Sequence, residues 1–167
     1  MSILSAQTIR HKCQYESLIL PFCERTAFMG LSFGLSPCGY DVRVEFDKEG
    51  KLEYQIMYPG AFLLASTIER FRMPKNLVGF VHDKSTWARR GIAVQNTVIE
   101  PGWEGYLTLE LTNHGSKGIR IDRGVGIAQV VFHKLDEDTN QPYEGKYQTQ
   151  SRGPVRALKS LTESPDL

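Results

Sequence analysis

Cysteine is scarce in this chain, and an excess of either charge is missing. Cys13, Cys23 and Cys38 are odd in number, widely spaced and never arranged as C-x-x-C. That argues against a disulfide framework and against a structural zinc site. Lys and Arg number 20 against 19 Asp and Glu, a formal net charge of +1. No global basic field therefore exists to hold a nucleic-acid polymer, and an anionic ligand must be met by a local cluster, which suits a small molecule better. No apolar run approaches the ~20 residues that cross a bilayer. The N-terminal MSILSAQTIRHKCQYE also lacks the basic-then-apolar order of a secretory signal. The expectation is a cytoplasmic, reduced protein with no membrane partner.

What is present is one domain's worth of chain, 167 residues with 41% hydrophobic and 23% charged content, enough to bury a sizeable core. A short helix is expected over residues 3–12, capped at Ser5 with Ile9 on its apolar side. Residues 18–38 read as loop, because Pro21, Gly30, Gly34, Ser36 and Pro37 interrupt any period. Strand patterns follow. YDVRVEF (40–46) and LEYQIMY (52–58) alternate, FLLAST (62–67), LVGFV (77–81) and IAV (92–94) are short apolar runs, and GYLTLELTN (105–113) alternates cleanly. IRI (119–121) and IAQVVFHKL (127–135) complete the set. Many short strands separated by turn signals such as Pro59-Gly60 and Pro101-Gly102 predict an all-β sandwich or barrel. From residue 136 the chain turns polar, and Tyr143, Lys146, Tyr147, Gln150 and Arg152 suit either a tail or an arm folding over a ligand.

Two segments carry residues able to do chemistry. In HDKSTWARRG (82–91), Ser85 and Arg89 are four apart and share one face of a helical turn. Gly91 can end that turn in the left-handed conformation, and Asp83 or Ser85 can cap its start. A lysine, a hydroxyl and a guanidinium aimed together suit an anion, although a solvated charged turn has the same pattern. In GYLTLELTN the leucines Leu107, Leu109 and Leu111 lie on one face, with Tyr106, Thr108, Glu110 and Thr112 on the other. Glu110 is a carboxylate in mid-strand, where propensity disfavours it. Either it faces solvent, or a cleft desolvates it and raises its pKa for acid–base work. Zinc-dependent base chemistry is excluded by motif: H-x-E with a following P-C-x-x-C is absent, and His11, His82, His114 and His133 are scattered.

KSTWARRG followed by EPGWEGYLTLELTNHG resembles the dCTP deaminases, whose pattern runs R/K-S-S-L-A-R-L-G and then I-D-P-G-W/F-x-G-x-I/L-x-L-E-L/F-x-N. CGYDVRV (38–44), YPGAFLLASTIERFRMPKNLVGFV (58–81), RGVGIAQVVF (123–132) and KYQTQSRGP (146–154) match further family elements in the same order, covering about three quarters of the chain. The resemblance implies a distorted β-barrel or jelly roll of the trimeric dUTPase type, with active sites between the subunits of a homotrimer. It implies a barrel over residues 1–135, an arm over 136–156 that closes on nucleotide, and a disordered tail over 157–167. It assigns Glu110 as the proton-shuttling catalytic residue, with Ser85 and Arg89 orienting the water. Lys84 would face the triphosphate and Gln129 lie near it, with Lys146, Tyr147 and Gln150 on the closing arm. Thr86, Gln95, Thr97, Glu100 and Trp103 fall on the substrate-contacting stretches. Magnesium would arrive on the triphosphate of a deoxynucleotide substrate rather than in a protein cage.

Three departures stand out. GIAVQNTVIEP (91–101) is about two residues shorter than the family's G-L-x-V-H-V-T-A-G-F-I-D-P, beside the pyrimidine ring. Gln95 replaces a histidine and Glu100 an aspartate. Trp87 and Arg90 replace leucines, the first read as packing and the second as surface. The shortened stretch suggests room for a 5-substituted substrate such as 5-methyl-dCTP. Rival expectations are a bifunctional enzyme making dUMP and pyrophosphate, a dUTPase, or a non-catalytic nucleotide-binding regulator. The glycine-rich closing segment of dUTPases, R-G-x-x-G-F-G-S-T-G, is missing from GPVRAL.

Overall fold

Alternation of apolar and polar residues drives most of this chain into strands, and the computed structural model describes residues 2–158. In chain order the elements are β1 (Ser2–Ile3), α1 (Ala6–Glu16), β2 (Ile19–Leu20), β3 (Thr26–Phe28), β4 (Leu31–Ser36), β5 (Gly39–Glu45), β6 (Tyr54–Met57) and β7 (Phe62–Arg72). They continue with β8 (Leu77–Asp83), α2 (Ser85–Ala88), β9 (Ile92–Val94), β10 (Val98–Ile99), β11 (Glu104–Asn113), β12 (Ile119–Asp122) and β13 (Gly126–Lys134). The main sheet runs β10-β8-β13-β5-β7-β11-β9, curled and antiparallel, with β1, β2, β3 and β4 added along it; β12 and β6 form a separate pair. The expected all-β fold is what the chain adopts.

The inward faces supply the core: Tyr40, Val42 and Val44 from β5, Leu109 and Leu111 from β11, and Ile127, Val130 and Phe132 from β13 are all essentially inaccessible. Burial of that apolar surface is the main driving force for closing the sheet. The opposite face of β5 is buried too. Asp41 pairs with Lys84, Arg43 with Glu69 (2.7 Å), and Glu45 with Arg123 (2.9 Å). Buried charges persist where each carboxylate finds a cation and further hydrogen bonds.

Four local expectations need correction. Residues 18–38 hold three strands rather than loop, because β2 pairs with β7 and β4 pairs with β3 and β5. The first helix runs Ala6–Glu16; Ser5 occupies the cap position without a side-chain capping bond, and Ile9 is buried as expected. β7 extends to Arg72, five residues beyond FLLAST (72 − 67). Lys84, not Asp83 or Ser85, occupies the cap position before α2, with no side-chain capping bond, and the Asp83 carboxylate instead accepts from Val94 N at 2.7 Å. Gly91 does end the turn with φ +95, where an added Cβ would lie 2.6 Å from Gly115 N. The expected tail over 157–167 lies outside the described residues from 159 onward.

Candidate functional site

β11 positions Glu110. Its leucines face the core, so the alternate residues Thr108 and Glu110 turn to the other face, half-buried. There they line a cleft of about 550 Å³, together with Thr97, Glu100, Trp103, Tyr147 and Gln150. Apolar side chains from β7 and β10, including Phe62, Leu64 and Val98, complete the wall. The Oε2 of Glu110 is buried with no hydrogen-bond partner among the described residues. Burial pushes its carboxyl pKa above the ordinary carboxylate range. A lone, desolvated carboxylate in a cleft is a group able to accept a proton and return it near neutral pH.

The C-terminal arm closes one end of this cleft through main-chain and side-chain bonds. Tyr106 N donates to Gln150 O (3.0 Å), and Gly105 bridges Gln150 in parallel register. Trp103 Nε1 donates to Tyr147 O (2.7 Å), Gln150 Nε2 donates to Thr108 Oγ1, and Val155 N donates to the same oxygen at 3.1 Å. Gly105 is required here, since a Cβ would lie 2.7 Å from Gln150 N. Gln95 does not line the cleft: its N donates to the main-chain O of Glu110 (3.0 Å) and its side chain is exposed.

The remaining expected residues stand elsewhere on the protomer. Lys84 Nζ donates to Ser32 Oγ (3.0 Å) and to the Asp41 carboxylate; Gln129 Nε2 donates to Ser36 Oγ (3.0 Å) and Asp41 Oδ1 (3.2 Å). Lys84 and Gln129 are therefore brought together, around Asp41. Ser85 lies exposed on α2, Arg89 exposed at its C-terminal cap, and Thr86 is half-buried between them. Arg89 borders a separate basic cleft with Arg90, Lys117 and Arg120. None of Lys84, Ser85, Thr86, Arg89, Gln129 or Lys146 lines the Glu110 cleft of its own chain. Lys146 is exposed and donates to Leu158 O (2.6 Å). Trp87 is buried, as its packing role requires, with Nε1 donating to Gly126 O (2.7 Å), and Arg90 lies exposed over its ring.

Asp41 and Thr108 escaped the sequence reading as candidate site residues. Asp41 had a usable signal in its place within CGYDVRV; Thr108 had one in sharing Glu110's face. Among the described residues no group of three or more His, Cys, Asp or Glu side chains is placed to hold a metal ion. No described helix is long and apolar enough to cross a membrane.

The curled sheet is that of the dUTPases. EIAV dUTPase superposes with a TM-score of 0.51 at 22% identity, over 65% of this chain and 84% of that one. The dUTPase of Staphylococcus bacteriophage 80alpha gives 0.52 at 16% identity, over 74% and 90%. At these identities the likeness is one of fold. The sequence itself is more specific: residues 40–135 match the family model described as dCTP deaminase-like. The curated dCTP deaminase of Sulfurovum sp. is 37% identical over 90% of this chain and 94% of its own, and that of Pseudomonas syringae pv. tomato 37% over 90% and 96%. The chain belongs to the dCTP deaminase-like family of enzymes, as the ordered motifs implied.

Proposed function

We propose that this protein deaminates dCTP hydrolytically, with Glu110 as the catalytic acid–base group. The observation that carries the reading is the Glu110 carboxylate: half-buried in a cleft, one oxygen unpartnered, its pKa raised by burial. Ionised Glu110 takes a proton from water as the oxygen adds to C4 of the cytosine ring. Protonated Glu110 then gives that proton to the departing amine, and ammonia leaves a uracil-type nucleotide with the carboxylate regenerated. Membership of a dCTP deaminase-like family with a dUTPase-type fold supports a nucleotide substrate of this kind.

Ser85 and Arg89 then act from a neighbouring subunit of a homotrimer, fixing the water beside Glu110; their exposure on α2 and at its C-terminal cap, away from their own chain's cleft, supports that arrangement. Lys84 and Gln129 serve the triphosphate, and Tyr147 and Gln150 the arm side of the nucleotide. The Asp41 carboxylate is already engaged by Lys84 and Gln129, so these residues do not fit a protein cage for a cation. Magnesium then enters with the phosphate oxygens. Phe62, Leu64 and Val98 beside Glu110 support tolerance of a 5-methyl group on the base. A second reading is further hydrolysis to dUMP and pyrophosphate: Glu100 lines the same cleft, but its side chain is longer than the family's aspartate, which weighs against correct placement of a second water.

Chromatography of dCTP, 5-methyl-dCTP and dUTP after incubation with protein and magnesium tests these readings together. Loss of the amino group from dCTP is expected, and unchanged dCTP refutes the proposal. Turnover of dCTP without turnover of 5-methyl-dCTP removes the 5-substituent. Appearance of dUMP decides for the second reading.

A further inference from the structure

The arm is fastened to the barrel at a point outside the Glu110 cleft. Glu45, at the end of β5, is fully buried. Its carboxylate accepts from Phe46 N (3.1 Å), from Arg123 Nε (2.9 Å) and Nη2 (3.0 Å), and from Arg152 Nη2 (2.5 Å). Arg123 belongs to the turn between β12 and β13, whereas Arg152 belongs to the arm. Burial alone would raise the Glu45 pKa, but the two guanidiniums hold it below the ordinary carboxylate range.

The backbone around this node is closely fitted. A Cβ on Gly153, which has φ +86, would lie 2.8 Å from Lys48 Cγ and 2.9 Å from Lys48 N; one on Gly50 would lie 2.8 Å from Arg123 Nη2 and 3.1 Å from Arg152 Nη2. The turn after β5 therefore folds directly onto the two arginines and the arm. Arg152 also sits between Gln150 and Val155, the two arm residues bonded to Thr108 Oγ1. Thr108 lies two positions before Glu110 on β11. A fixed Arg152 thus fixes the stretch of arm that walls the cleft.

We infer that Glu45 is a positioning residue for the reaction: through Arg152 it latches the arm, so that Tyr147 and Gln150 stand over the Glu110 cleft when nucleotide enters. The kinetic part of this inference rests on the proposed deamination; the latch itself does not. Two cations share one carboxylate, so loss of Glu45 leaves the guanidiniums facing each other and releases the arm. Because Arg123 ties Glu45 into the barrel, Glu45→Gln also risks the fold, and Arg152→Gln is the cleaner variant.

The test compares wild type, Arg152→Gln and Arg152→Lys as full chains, with three readouts: dCTP kinetics, hydrogen exchange over residues 147–155, and melting temperature. Arm contacts bind ground state and transition state alike, so Arg152→Gln should raise KM roughly tenfold with kcat changed less than about threefold. Exchange in the arm should quicken about tenfold while the melting temperature holds, and Arg152→Lys should recover part of both effects, since lysine keeps the charge without the fork. Unchanged KM and unchanged arm exchange in Arg152→Gln overturn the latch, as does an equal loss throughout the barrel. If wild type leaves dCTP intact, the deamination reading fails, and arm exchange alone still decides the latch.

Discussion

Replacing Glu110 by Gln removes one proton-accepting group and little else. The side chain keeps its size, and it stays in the cleft that Thr97, Thr108 and Gln150 also line. A positioned acid–base group contributes about 10²- to 10⁴-fold to rate, so kcat for dCTP should fall by at least about 100-fold. Nucleotide affinity should change by less than about threefold, since the lost function is expressed in the transition state. The pH dependence follows from the raised pKa. Water activation requires the ionised form, so kcat/KM should rise with pH along an acid limb displaced above the ordinary carboxylate range. For stability the sign is opposite: a carboxyl with a raised native pKa favours the fold below its unfolded pKa and loses that contribution as pH rises through the native value. Glu110→Gln should therefore gain melting temperature relative to wild type on moving from acid to neutral pH. Stopped turnover by chromatography, nucleotide binding by calorimetry and melting curves across pH give the three quantities. Full activity in Glu110→Gln, with an unmoved acid limb, would refute the assignment.

Mixing tests the subunit seam. Glu110→Gln and Arg89→Ala should each be inactive alone, but randomly reassembled trimers should recover about a quarter of wild-type activity, because one site in four then pairs two intact halves; no recovery after verified subunit exchange would place both groups in one chain. Trp87 should hold α2 in place: Trp87→Ala should cost roughly 3–5 kcal/mol in urea denaturation, and Trp87→Phe about 1 kcal/mol for the bond to Gly126 O. A cost below about 1 kcal/mol for the alanine variant would show that the helix is held by other contacts.

Strand identity was legible wherever alternation or a continuous apolar run was long enough to register. β11, β9 and β13 fall within a residue of their sequence patterns because one face of each carries an unbroken run of apolar residues through most of its length. β2, β3 and β4 were not visible, since strands of two to six residues, the longest interrupted by Gly34, carry no period, and β2 depends on an edge supplied by β7, β4 on β5 and β3 on β4. The extension of β7 was hidden by Glu69 and Arg70, which look like turn composition. In the structure Glu69 is buried against Arg43, a partner 26 residues away that no local window contains. The cleft placement of Glu110 was one of two open alternatives in its strand pattern, and the arm, β7 and β10 decide between them. The mutual approach of Lys84, Gln129 and Asp41 depends on β13 lying between β8 and β5, which is a matter of topology.

Between β7 and β11 the ladder skips: Tyr106 stands opposite Arg70, yet Thr108 stands opposite Ser66. Three residues of β7, numbers 67–69, thus face Leu107 alone, an excess of two, and Thr67 Oγ1 accepts the Leu107 N–H (3.1 Å) that the skip would otherwise strand. Two is an even number, so the ladder resumes in phase: Ala65 stands opposite Leu109 and Phe71 opposite Gly105, and both Ala65 and Phe71 are fully buried. Adding or deleting a single residue there would invert that parity, turning Phe71 outward and Arg70 inward. Length at this position is consequently tolerant only of paired changes, a constraint that no single side chain announces.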